Sequence, residues 1–169
     1  MTPKSPNPSS ENPSIKWPQA NRGVGDASIG ISIHNESEKR LPIDEESIRH
    51  LIRIVIFQEN VKVSWLELIY VTPEEITRIN SEFLGKQYVT DNIAFQYEEP
   101  GESVEATIFQ CPYRIEEQAL ELQTSLLTEF VRVLIHGVLH ISGYKDESEV
   151  EKMNMRSKEN DYLKQFDYI

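Results

Sequence analysis

The stretch HGVLHISGYKD, residues 136–146, decides the fold and the chemistry of this 169-residue chain. His136 and His140 stand four positions apart, a spacing that brings both side chains onto one face of an α-helix. Gly143 can adopt the left-handed conformation that ends a helix and turns the chain back. The turn would bring Asp146 toward the two imidazoles. Two imidazoles and one carboxylate are a known catalytic zinc set with a fourth position for water, so we predict one zinc ion held by these three residues.

The residue after the first histidine narrows the chemistry of such a site. Zinc peptidases of the H-E-x-x-H type carry their general base at this position, where the chain has Gly137. A zinc peptidase is therefore an alternative, but it would lack its general base. We expect Gly137 to leave room for a larger substrate beside the metal. Two core histidines that share a helix are the structural alternative, but the glycine turn and the oxygen ligand favour a metal. Imidazole ligands favour zinc over magnesium or calcium.

An apolar helix leads into the histidine pair. Residues 113–141 are predicted to form one long helix, which would hold both imidazoles rigidly. Its apolar face carries six large residues at helical spacing: Leu122, Leu126, Phe130, Val133, Leu134 and Val138. We therefore expect a zincin-like central helix that is buried in the domain and carries the metal motif.

Strand and helix patterns alternate over the rest of the chain. Alternating, β-branched segments predict four strands, the last two forming a hairpin, at residues 29–34, 62–71, 90–97 and 104–110. Asp44 and Thr72 predict the start of a helix after each of the first two strands, and Gly85 predicts the end of the second helix. A charged helix follows the metal motif. The order β-α-β-α-β-β-α-α predicts an α+β fold in which a small mixed β-sheet packs against helices.

Composition is that of a soluble protein with one domain. Residues 1–28 contain five of the nine prolines and few large apolar residues, which predicts a disordered N-terminal tail before a domain at residues 29–169. No run reaches the roughly 20 apolar residues of a membrane helix, no secretory signal is evident, and Cys111 is a single cysteine. These features favour a cytoplasmic location. A net charge of −11 argues against broad binding of duplex nucleic acid, but it leaves room for a local basic groove or a metal.

The metal stretch resembles the H-G-x-L-H-x-x-G-Y-D-H signature of the YbeY family. Segments at residues 79–86, 90–95 and 114–119 are similar to further segments of that family in the same order, and the resemblance extends over about residues 29–160. It implies a zinc-dependent, single-strand-specific endoribonuclease that acts in 16S rRNA 3′-end maturation and ribosome quality control. The implied partners are single-stranded rRNA, pre-16S rRNA, and the small ribosomal subunit with its proteins.

The same resemblance implies roles for two residues beyond the metal ligands. Asp91 and Asn80 are expected to take part in catalysis by supporting the metal site or positioning the substrate. The alternative for Asp91 is a residue that starts a strand, and the alternative for Asn80 is the polar face of a short helix. Both alternatives stay open from the sequence.

The chain departs from the family pattern close to the metal motif. Asp146 stands where the family usually has histidine, so zinc with two neutral imidazoles and one carboxylate would keep a single formal positive charge. Lys145 stands where the family has aspartate, and Leu84 stands at the position of a family arginine. A ribosome-assembly factor with weakened catalysis, which binds RNA or ribosomal proteins, is therefore a further alternative.

Overall fold

A computed structural model describes residues 29–97 and 103–168. The predicted disordered tail at residues 1–28 lies outside the described residues. The strands are β1 (Gly30–Asn35), β2 (Val63–Tyr70), β3 (Asn92–Gln96) and β4 (Val104–Gln110). The helices are α1 (Glu45–Gln58), α2 (Pro73–Leu84), α3 (Pro112–Glu121), α4 (Leu126–Ile141) and α5 (Glu149–Gln165).

The four strands form one mixed sheet in the order β1-β2-β4-β3. Strand β2 pairs in parallel with β1 and with β4, whereas β3 pairs with β4 in antiparallel orientation as the predicted hairpin. Leu66, Leu68 and Tyr70 alternate along β2 and are fully buried, because β2 lies between two neighbouring strands under the helices. The α+β fold with a small mixed sheet is therefore confirmed.

Local capping explains where the first two helices begin. The Asp44 carboxylate accepts a hydrogen bond from the backbone N–H of Ser47 at 2.8 Å and caps α1. The Thr72 hydroxyl does the same for α2 by accepting from the N–H of Glu75 at 3.2 Å. Gly85 ends α2 in the left-handed conformation, with φ of 67°. All three boundaries agree with the sequence prediction.

The single long helix predicted at residues 113–141 is wrong. Helices α3 and α4 are separate and meet at an angle of 119°. Gln123 adopts a left-handed conformation with φ of 53°, and the N–H of Thr124 donates to the carbonyl of Ala119 at 3.0 Å, which closes the end of α3. Ser125 then caps α4 by accepting from the N–H of Thr128 at 2.9 Å. The turn satisfies the backbone groups of both helix ends without glycine or proline.

The break changes which residues belong to the central helix. Leu122, predicted on the buried face, lies in the turn and is half exposed. Helix α4 remains the centre of the domain and packs against β3, β4, α1, α3 and α5. Its Phe130 ring stacks on Tyr70 of β2 with ring centroids 5.4 Å apart. The buried central helix that carries the histidines is therefore confirmed in a shorter form.

No single helix in the described part of the chain is long and apolar enough to cross a membrane. Helices α3 and α4 together have the necessary length and composition, but they are sharply bent against each other. Most residues of α4 are buried in the domain core.

Candidate metal centre

The last turns of α4 bring the two histidines of the motif together. The Nε2 atoms of His136 and His140 lie 3.0 Å apart, and the rings meet nearly edge to face with centroids 4.5 Å apart. Each side chain keeps about a quarter of its surface exposed, with values of 23% and 25%. The pair therefore sits at the surface end of a buried helix, where a rigid backbone holds both rings and solvent can reach them.

A glycine turn returns the chain to the histidines. Gly143 has φ of 97°, a conformation that side chains other than glycine rarely adopt, and the N–H of Tyr144 donates to the carbonyl of Leu139 at 3.1 Å. The turn places Oδ2 of Asp146 at 3.6 Å from Nε2 of His136 and at 3.4 Å from Nε2 of His140. The structure thus brings together the three side chains that the motif predicted as ligands.

The distances between these three atoms suit a small tetrahedral ion. Zinc binds imidazole nitrogen and carboxylate oxygen at about 2.0–2.2 Å, which separates tetrahedral ligand atoms by about 3.3–3.6 Å. The three observed separations, 3.0, 3.4 and 3.6 Å, bracket that value. His136, His140 and Asp146 are also a group in the described residues that could hold a metal ion. The donor set and its spacing therefore fit zinc, with a fourth position left for water or substrate.

A buried carboxylate on α5 orients the first histidine. Oε1 of Glu159 lies 2.7 Å from Nδ1 of His136, and the Glu159 residue is only 4% exposed. This contact places the imidazole proton on Nδ1 and leaves Nε2 free to act as a ligand. Burial lowers the pKa of His136, but the hydrogen bond and the charge of Glu159 outweigh that effect and raise the pKa overall. The more basic imidazole is a stronger metal ligand.

Among the residues that the structure describes, no carboxylate contacts the far side of the second histidine. Burial and the neighbouring His136 lower the pKa of His140 below its ordinary value. His140 is therefore neutral near pH 7, which is the form that binds a metal. The two imidazoles thus differ in basicity although they are neighbours on one helix.

Sequence reasoning missed Glu159. The signal was its position on the buried face of α5, where it shares helical spacing with Met155, Tyr162 and Leu163. A carboxylate on such a stripe needs a buried partner, because an unpaired charge in the core is costly. The partners of Glu159 are His136 at one oxygen and the two arginines Arg132 and Arg156 at the other.

A buried ionic network continues behind the histidine. Nη1 of Arg132 lies 3.4 Å from Glu159, and Nε of Arg132 lies 3.5 Å from Oε2 of Glu129. The Gln118 amide donates to Glu129 at 3.1 Å and to the Asp91 carboxylate at 2.9 Å. The network therefore links α3, α4, α5 and the start of β3 beneath the metal ligands.

Asp91 and Asn80 take different places relative to the metal group. Asp91 joins the network through Gln118, and its charge contributes to the raised pKa of His136. Asn80 is buried on α2, and its amide donates to the carbonyl of Tyr88 at 2.9 Å. Asp91 is thus brought near the site, whereas Asn80 fastens the loop that follows α2.

Gly137 faces the sheet, which corrects the expectation that it leaves room for substrate beside the metal. A Cβ atom at this position would lie 2.7 Å from Oδ1 of Asn92 and 3.1 Å from a methyl group of Ile108. The glycine therefore allows α4 to approach β3 and β4 closely. A side chain at this position would require Asn92 or the helix to shift, and it would point toward the sheet.

An open cleft adjoins the histidine pair. It has a volume of about 340 Å³ and lies between the end of α2, strand β3 and the glycine turn. Leu84 and Lys145 contribute to its lining together with His140 and Asn92. The Gln96 amide, also at the cleft, donates to the carbonyl of Ile141 at 2.8 Å and ties β3 to the end of α4. A substrate in the cleft would therefore lie against His140, the one predicted metal ligand in the lining.

Comparison with known proteins identifies relatives along most of the chain. A family model described as Endoribonuclease YbeY matches residues 32–167. A protein of that name from Chlorobium phaeovibrioides is 36% identical over 134 residues, which cover 79% of this chain and 88% of the relative. The corresponding protein from Chlorobaculum tepidum is 40% identical and covers 79% of this chain and 95% of the relative. A Flavobacterium psychrophilum relative is 34% identical, with coverages of 73% and 87%.

A solved structure has the same architecture. The solution structure of TM1509 from Thermotoga maritima aligns with a TM-score of 0.58 and 26% sequence identity. The alignment covers 80% of this chain and 89% of that protein. The arrangement of sheet and helices described above therefore occurs in an experimentally determined structure.

Proposed function

The chain belongs to the YbeY family of endoribonucleases, and on that premise we propose that it is a zinc-dependent enzyme that cuts single-stranded ribosomal RNA. The proposed roles are 3′-end maturation of 16S rRNA and quality control of the small ribosomal subunit. The observation that carries the proposal is the cluster of His136, His140 and Asp146, of which His140 lines an open cleft. Action on the small subunit and its proteins would place the enzyme in the cytoplasm.

The parts of the metal centre have distinct tasks in this proposal. Zinc, when bound, would supply Lewis-acid chemistry for phosphodiester hydrolysis. Glu159 holds the proton of His136 on Nδ1 and directs Nε2 toward the ligand position. Asp146 brings a negative charge, so the centre keeps less positive charge than one with three histidines. The glycine turn lets Asp146 reach the same point as both imidazoles.

Asp91 and Asn80, the two further candidates, support the site without contacting the metal position. Asp91 acts through its negative charge near His136 and through the Gln118 amide. Asn80 acts by fastening the loop at Tyr88, which follows the part of α2 that borders the cleft. We propose both as positioning residues, since neither touches the three ligand atoms in the described contacts.

The two alternatives make different demands on the same site. A peptidase of the H-E-x-x-H type carries its general base at position 137, where this chain has a glycine that faces the sheet. An assembly factor with weakened catalysis needs RNA binding without cleavage, and Leu84 at the cleft gives this alternative its support. The distinction therefore rests on whether bound RNA is cut.

Incubation with an RNA that carries an unprocessed 16S 3′ end tests the proposal. Zinc-loaded protein should cut the single-stranded form and spare a duplex of the same sequence. His140→Ala should abolish cleavage, whereas His34→Ala, which removes a half-exposed histidine on β1, should not. RNA binding without cleavage would support the assembly factor, and cleavage that survives in His140→Ala would disprove the proposed metal centre.

A further inference from the structure

The cleft beside the metal ligands has two unlike walls. On one side, the lining is apolar and consists of Leu84 at the end of α2 with Ile93 and Ala94 of β3. Leu84 keeps 47% of its surface exposed. On the other side, the glycine turn presents the exposed side chain of Lys145. An apolar wall therefore faces a cationic one, with His140 between them in the lining.

Lys145 is the only residue in the described lining of this cleft with a permanent positive charge. It makes no ion pair or side-chain hydrogen bond with the described residues. Other cations near the centre are already engaged. Arg132 pairs with Glu129 and Glu159, and Lys158 lies 2.9 Å from Glu59. Lys145 attracts Glu151 at longer range and also borders a second depression with that residue. No carboxylate of the described residues lies within ion-pair distance of its ammonium group, so this group is available to a ligand in the cleft.

The position of Lys145 in the chain fixes its distance from the metal ligands. It directly precedes Asp146, so the two Cα atoms are about 3.8 Å apart. Successive side chains leave the turn in different directions, and Lys145 lines the cleft while Asp146 faces the histidines. An anionic group held by Lys145 would thus lie beside the metal-binding cluster.

We propose that Lys145 binds a substrate phosphate next to the cut, and that the wall formed by Leu84 receives the adjoining nucleotide by apolar contact. The identity of the substrate rests on the proposed function. The protein carries a net charge of −11 and repels a polyanion over most of its surface. A free ammonium group in the cleft offsets this repulsion where the phosphodiester must approach.

The salt dependence of binding provides a direct test. The probe is a single-stranded oligodeoxynucleotide, which lacks the 2′-hydroxyl and is not cut as RNA. Each phosphate contact on a single strand contributes about 0.7 to the slope of log K against log salt. Lys145→Ala should lower that slope by about 0.7 and weaken binding several-fold, whereas Lys145→Arg should retain both. Lys164→Ala, at the exposed end of α5, removes the same charge outside the cleft and should change neither.

A second variant tests the opposite wall. Leu84→Ala removes the apolar wall and should weaken binding while leaving the slope unchanged. The proposal is overturned if Lys145→Ala behaves like Lys164→Ala, or if Leu84→Ala binds like the wild type. Zinc affinity should be equal in all variants. A wild-type protein that cuts no RNA would refute the proposed function alone, because the slope still reports whether Lys145 contacts phosphate.

Discussion

Nδ1 of His136 lies 2.7 Å from Oε1 of Glu159, so a buried carboxylate of α5 fixes the orientation of a metal ligand on α4. The two residues are 23 positions apart, and the contact forms only when the last helix packs against the central one. A neutral side chain at position 159 would hold the imidazole proton less firmly than the carboxylate does. Metal affinity therefore depends on a residue that does not touch the metal.

Glu159→Gln should weaken zinc binding by about 10–100-fold, the usual effect of losing such a partner. The amide keeps the shape of the side chain but removes the negative charge that raises the basicity of His136. Competition with a chromogenic chelator measures the affinity. Glu149→Gln on the exposed start of the same helix is the control and should bind zinc like the wild type. An equal zinc affinity for both variants would contradict the role of Glu159.

Asp146→Asn should lose more zinc affinity than Glu159→Gln, because it removes a ligand and its charge rather than a supporting contact. Asp146→His should bind zinc again, since imidazole is a suitable ligand at the same position. Chelator competition separates the two variants, and Asp161→Asn, an exposed acid on α5, serves as the control. Tight zinc binding by Asp146→Asn would show that the third ligand lies elsewhere.

Arg132→Met should destabilise the fold by about 3–5 kcal/mol, the cost of leaving a buried charge without its partner. Glu129, which is 1% exposed, would lose the one cation that pairs with it among the described residues, whereas Glu159 would keep Arg156 and His136. Arg78→Met is a matched control, because Arg78 also joins two glutamates, Glu75 and Glu82, but on an exposed face of α2. The control should lose no more than about 1 kcal/mol. Urea unfolding measures both, and similar losses would contradict the buried network.

The local pattern predicted most of the fold, because capping and alternation are properties of neighbouring residues. Asp44, Thr72 and Gly85 each mark a boundary that the structure confirms. The break before α4 escaped prediction for a physical reason. Residues 122–125 contain neither glycine nor proline. Gln123 takes a left-handed conformation that is uncommon for glutamine, so the sequence does not indicate it. The turn is favoured by the packing of α3 against α4, a contact between helices that the local pattern does not reveal.

The same contrast between local patterns and packing explains which residues of the candidate site were predicted. The motif placed His136, His140 and Asp146 because all three lie within eleven consecutive residues. Glu159 and Arg132 join the site through contacts between helices, which spacing along the chain does not reveal. Gly137 was misread for the same reason, since its neighbour is Asn92 on a distant strand.

A partly buried carboxylate anchors the turn that carries the third ligand. Glu59, at the end of α1, accepts hydrogen bonds from the hydroxyl groups of Tyr144 at 2.8 Å and Tyr162 at 2.6 Å, and from Lys158 at 2.9 Å. Burial raises the pKa of Glu59, but the three donors outweigh it and hold the pKa below its ordinary value. The ionised form is therefore the one that the fold stabilises.

Glu59→Gln should destabilise the protein by about 1.5–3 kcal/mol at pH 7, the range for hydrogen bonds to a charged group. A carboxyl group with a lowered pKa stabilises the fold above its unfolded pKa of about 4.3, and this contribution is lost as the pH falls through the folded pKa. The difference between wild type and variant should therefore shrink below about pH 4. Urea unfolding at several pH values measures it, with Glu46→Gln on the exposed face of α1 as the control. A difference that stays constant with pH would show that the charge of Glu59 does not hold the turn.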